Sequence, residues 1–92
     1  MDDAAAQLQK LVNIGPVLAG ELAVAGFTSL KELADAGHIE VVRRLRAVNP
    51  ERDCMNSALA IAGAIRGVRW MQIHRDERAR ITAEVRAAFP GN

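Results

Sequence analysis

The sequence predicts an all-α fold, a compact bundle of five or six helices. Apolar residues recur at three-and-four spacing along nearly the whole chain, and no segment alternates as a half-buried strand does. Alanine-rich stretches stand where β-branched runs would favour sheet, and tyrosine is absent. Ninety-two residues, half of them apolar and a quarter charged, make one domain spanning 1–92.

The first helix is expected from Ala4 to Val12, with Leu8, Leu11 and Val12 on its inner face. Asn13-Ile14-Gly15-Pro16 breaks it, and Pro16 suits the first position of a second helix. That helix places Val17, Leu18, Leu22 and Ala25 inward and stops at Gly26. Ser29 followed by Glu32 is a capping box, with Thr28 as the other capping choice, and opens a short helix carrying Leu30 and Leu33 inward up to Gly37. A fourth helix over Ile39–Val48 gathers Val41, Val42, Leu45 and Val48 into one stripe. Asn49 as N-cap and Pro50 in the first turn then begin a long central apolar helix of about 18 residues, about 27 Å, ending near Gly67. Its stretch from Cys54 to Ile65 carries no charge; Met55, Ala58, Leu59, Ala62 and Ile65 are expected inward, and Ala60, Gly63 and Ala64 admit close neighbours. A last helix over Arg75–Ala88 turns Ile81, Val85 and Ala88 inward and sets Asp76, Arg80 and Glu84 as i,i+4 pairs outside, before Pro90 ends it.

Several function classes are excluded or disfavoured. One cysteine forms no internal disulfide, and Cys54 with His38 and His74 cannot supply four zinc ligands. No catalytic triad or phosphate-loop motif occurs. Cys54 reads as a buried thiol, His38 as an N-terminal residue of the fourth helix and His74 as a helix-entry residue. The sequence therefore implies no enzyme and no cofactor. The longest uncharged stretch is twelve residues, short of the roughly 18 a membrane span needs, and the acidic start is unlike a signal peptide. The chain reads as cytoplasmic, with no membrane association.

The net charge of +1 hides an asymmetry. Residues 1–40 hold two bases against six acids, a balance of −4, whereas residues 41–92 hold ten arginines against five acids, a balance of +5. Such a split permits an anionic partner on one side. Two surfaces follow. Asn13-Ile14-Gly15-Pro16 with the flanking leucines forms a helix-hairpin-helix, a SAM-like half of the fold. Its amides at Gly15, Val17 and Leu18 would face a phosphate, supplemented by Arg43, Arg44 and Arg46. Against that stand Glu21, the absence of any base between Asn13 and Leu30, and the amide lost at Pro16. The second surface is Arg66, Arg69 and Trp70, where Trp70, following directly on the central helix, is read as a core residue, with an anchor for a partner as the alternative.

The order Asn13-Ile14-Gly15-Pro16, then LAVAGFTSLKEL from Leu22 to Leu33, RLRAVNP up to Pro50, Cys54, Asn56, Leu59 and GAIRGVRW from Gly63 to Trp70 resembles the C-terminal domain of TfoX/Sxy proteins, regulators of natural DNA transformation. The resemblance covers roughly residues 8–88. It implies a helical domain with a helix-hairpin-helix-like half and a regulatory, non-enzymatic role without cofactor. Family members commonly carry a separate N-terminal domain as well. On this reading the chain is a regulatory interaction domain of the competence type that binds a protein partner. Sequence-independent DNA binding is the alternative, and a homodimer through an exposed apolar face is a third possibility.

Overall fold

In the computed structural model, which describes residues 3–91, the elements are α1 (Asp3–Leu8), α2 (Pro16–Val24), α3 (Leu30–Ala36), α4 (His38–Val48), α5 (Cys54–Arg66), a single 3₁₀ turn over Trp70–Gln72, and α6 (Arg75–Ala88). Helices α4 and α5 form a shared wall between two half-cores. On one side α1, α2 and α3 bring Leu8, Leu22, Phe27 and Leu33 against Val41, Leu45 and Ile61. On the other, Ile73 and α6's Ile81 and Val85 pack on Val42, Cys54, Ala58 and Ala62. Apolar residues on both sides of the α5 helix are thereby covered, as its uncharged stretch requires.

The helix order agrees with the sequence pattern; several boundaries do not. Helix α1 ends at Leu8 instead of Val12, because the chain tightens into three-residue turns, Lys10 N–H to Gln7 and Leu11 N–H to Leu8, that swing Ile14 into the core. The central helix is 13 residues long, not 18. Asn49 closes α4 instead of opening α5: its Oδ1 accepts from Glu51 N at 3.1 Å and its Nδ2 donates to Glu21 at 3.2 Å. Asp53 is the N-cap of α5, accepting from Asn56 N at 3.0 Å. Removing that cap by Asp53→Ala should cost about 1 kcal/mol and lower the midpoint of thermal unfolding by about 4–8 °C, read by circular dichroism.

Three expected core residues lie at the surface. Val17 is 70% and Leu30 38% exposed, since the buried side of α2 runs through Leu18, Ala19 and Leu22 and that of α3 through Leu33. Trp70 is 39% exposed, and Ile73 takes the core place beside α5 instead. Ser29 is the cap of α3, accepting from Glu32 N, while Glu32 returns its carboxylate to Thr28 N at 2.6 Å and Thr28 Oγ1 at 2.9 Å. Both predicted capping residues are thus used, and these bonds hold the Glu32 carboxyl below its ordinary pKa.

Charged side chains fasten the halves together. Glu21 of α2 accepts from Arg52 Nε and from Asn49, and Arg52 also reaches Ser57 Oγ at 3.3 Å. Arg46 donates to Cys54 Sγ and to the Pro50 carbonyl, both at 2.9 Å, and so ties down the α4–α5 turn. His38, the first residue of α4, bonds Glu84 at 2.7 Å, and among the described residues the expected i,i+4 ion pairs of Arg80 with Asp76 and Glu84 do not form: Glu84 turns to α4 and Asp76 to His74.

Candidate functional site: a hollow beside Trp70

Asn13 builds the most distinctive surface of the molecule. It sits between α1 and α2 at φ 70°, a left-handed conformation that asparagine tolerates better than most residues. Its Nδ2 donates to the Val68 carbonyl at 2.9 Å and the Ala60 carbonyl at 3.3 Å, and its Oδ1 accepts from Trp70 N at 3.3 Å. The Val68 carbonyl is presented by the end of α5. There Gly67 in the left-handed region lets Val68 N–H reach back to Gly63 O at 2.9 Å. Gly63 is what admits Asn13 to this place, since a Cβ on it would lie 2.4 Å from Asn13 Nδ2 and 2.7 Å from Val68 O.

The clamp pins the chain after α5 to the α1–α2 turn. Arg69 N–H donates to Gln72 Oε1 at 3.2 Å, closing the 3₁₀ turn that follows. The result is a hollow of about 500 Å³ lined by Asn13, Asn56, Leu59, Ala60, Arg69, Trp70 and Met71. Met71 is 58% exposed at its edge. The lining sets the apolar Leu59, Ala60, Trp70 and Met71 beside the polar Asn13, Asn56 and Arg69, and Arg69 has no carboxylate within ion-pair distance among the described residues. Arg66, expected on the same surface, is engaged with Glu77 at 3.1 and 3.3 Å and with the Ala62 carbonyl. That guanidinium holds the Glu77 carboxyl below its ordinary pKa.

The residues expected to contact phosphate do not gather in one place. Gly15 caps α2 in an extended conformation with no side-chain bond, and the first-turn amides of Val17 and Leu18 follow it behind Pro16. Arg44 lies at the other end of α2, its guanidinium 5.1 Å from the centre of the Phe27 ring, and shares Glu40 with Arg43. Arg43 lies 5.4 Å from the Phe89 ring beyond α6, and Arg46 is held in the α4–α5 turn. The base that shares a hollow with the hairpin's Asn13 is Arg69.

Catalytic groups are not brought together. Cys54 is fully buried against Arg46, His38 faces Glu84, and His74 caps α6 by accepting from Asp76 N at 3.1 Å. Among the described residues no group of three or more His, Cys, Asp or Glu is arranged to hold a metal, and no helix is long and apolar enough to cross a membrane. Sequence reasoning flagged Arg69 and Trp70 but missed Met71, Asn56 and the positioning role of Asn13. The one available signal was an asparagine, tolerant of the left-handed region, just ahead of Gly15-Pro16.

Comparison with known proteins places this geometry. The family model described as the TfoX C-terminal domain matches residues 4–85. Two crystal structures from Listeria monocytogenes have the same fold at 30% identity. One, of an uncharacterized protein in a triclinic form, superposes with a TM-score of 0.79 over 87% of this chain and 90% of its own. The other, of a protein of unknown function in a tetragonal form, gives 0.78 over 88% and 99%. No curated protein matches.

Proposed function

The chain belongs to the TfoX C-terminal domain family, and from that membership we propose that it is a non-enzymatic regulatory interaction domain, cytoplasmic, that acts in transcriptional control of DNA transformation by binding another protein. The observation that carries the reading is the exposed Arg69-Trp70-Met71 segment, held in place by Asn13 around a hollow that Leu59 and Ala60 also line. Tryptophan, methionine and arginine are the residues enriched where protein partners dock, and a rigid aromatic anchor loses little entropy on binding. Contact with DNA through the hairpin amides and Arg43, Arg44 and Arg46 draws less support, because those arginines stand apart from the amides and α2 carries no base.

The test is Trp70→Ala. With the side chain 39% exposed, the variant should keep its helical spectrum and lose under about 1 kcal/mol of stability. Affinity for the partner, identified by photocrosslinking from position 71 in the host cell, should fall about 30-fold or more. Expression of DNA-uptake genes should fall with it. A variant that keeps both partner and expression would remove this surface from the function, and one that unfolds would return Trp70 to a structural role.

A further inference from the structure

Helix α6 carries four arginines and three acids, and the fold sorts them onto different flanks. At 3.6 residues per turn, Arg75, Arg78, Thr82 and Arg86 fall within an arc of about 80°, while Glu77 and Glu84 lie together across the buried Ile81–Val85 row. The two glutamates are occupied: Glu77 by Arg66, Glu84 by His38. Asp76 stands near His74, and Arg80 lies close enough to Glu77 to act on it. Among the described residues Arg75, Arg78 and Arg86 have no carboxylate within ion-pair distance. The row continues to Phe89, over whose ring Arg43 lies, and Arg43 shares its single acid, Glu40, with Arg44.

We infer that this flank, Arg75, Arg78, Arg86 and Arg43, is a binding face for the sugar–phosphate backbone of duplex DNA. The inference is independent of the Trp70 hollow. From Arg75 to Phe89 the row is about 21 Å long, the length of about six base pairs of duplex. Between the guanidinium groups stand only small side chains, Ala79 and Thr82, whose hydroxyl is already bonded to the Ala79 carbonyl at 2.9 Å. The one aromatic ring of the row, Phe89, is half-buried and lies under the Arg43 guanidinium, so the face presents charge where a protein partner would look for an exposed anchor. The face matches a surface whose repeating feature is charge, and the contact reads no sequence. The surface exists although the chain's net charge is only +1, because two of the three acids of α6, Glu77 and Glu84, turn to α5 and α4 and the third, Asp76, lies near His74.

The experiment measures fluorescence anisotropy of a mixed-sequence 20-base-pair duplex with the whole chain. Four phosphate contacts predict that affinity falls about a hundredfold between about 50 and 200 mM salt. The triple variant Arg75→Gln/Arg78→Gln/Arg86→Gln should weaken binding at the lower salt by at least about tenfold and reduce the salt effect to under about fivefold. The triple lysine variant should retain the wild-type salt effect, which separates charge from packing, and Trp70→Ala should bind DNA as wild type does. Circular dichroism confirms that each variant is folded. The proposal is overturned by a wild-type chain that fails to bind at about 50 mM salt, by a folded glutamine variant with unchanged affinity, or by tighter binding to polyglutamate than to the duplex.

Discussion

Gly63→Ala is expected to destabilise the domain by about 3 kcal/mol and to lower its thermal midpoint by more than about 12 °C. The sign is the informative part, since alanine for glycine inside a helix ordinarily stabilises by up to about 1 kcal/mol. Here the added methyl would stand 2.4 Å from Asn13 Nδ2 and 2.7 Å from the Val68 carbonyl. Neither can yield cheaply. The carbonyl is backbone, and displacing the amide costs its bonds to Val68 and Ala60 and the one Trp70 N–H makes with Asn13 Oδ1. Urea and thermal denaturation measure the loss. In an Asn13→Gly background, where the left-handed backbone is still accommodated and the amide is gone, the added cost of Gly63→Ala should shrink. Equal costs in both backgrounds would show that Asn13 is not what the methyl meets.

Arg52→Ala should cost about 2 kcal/mol, less than the 3–5 of breaking a fully buried pair because Arg52 and Glu21 each keep some solvent contact, at 18% and 17% side-chain exposure. The variant strands Glu21 and leaves Ser57 Oγ without its guanidinium. It should also change the response to acid. The Arg52 hydrogen bond, joined by that from Asn49 and opposed by burial, holds Glu21 below its ordinary value of 4.5. A carboxyl with a depressed folded-state pKa binds its proton more readily in the unfolded chain, so the stability it contributes is complete above about pH 4.5 and is lost as pH falls below it. Denaturation followed between pH 7 and 3 should therefore show the wild type losing its advantage over Arg52→Ala on acidification. A constant gap across that range would mean that the pair contributes through packing alone. Glu32 and Glu77, also depressed by their partners, are present in both proteins and cancel in the difference.

Most of the helical order was legible because local signals agreed. Ser29 with Glu32, the glycine stops at Gly26, Gly37 and Gly67, and the Val41–Leu45 stripe each specify their own neighbourhood. The start of α5 was not, since Asn49 and Asp53 are both good caps four residues apart and Pro50 suits a first turn. Glu21, 28 residues earlier, engages Asn49 and Asp53 takes the cap. Trp70 was ambiguous for the same kind of reason. Asn13, 57 residues away, holds its backbone outside the core, and no periodicity near Trp70 records that. The arginines show the limit most plainly: their density in the second half was visible, whereas which of them keep free guanidinium groups depended on where Glu77, Glu84 and the Pro50 carbonyl came to rest.

The Asn13 clamp also bears on how the chain acquires its shape. Its three bonds join residues 47 to 57 positions apart, while most bonds that close the individual helices span four. Closing so long a loop costs entropy that local helix formation does not, and the clamp cannot be completed until the end of α5 has taken its final turn at Gly67. The hairpin edge is therefore a late arrival in folding. The hollow, walled by that edge on one side and by the 3₁₀ turn on the other, exists only in chains that have finished the process, so its exposed tryptophan is held in this position by completed molecules alone.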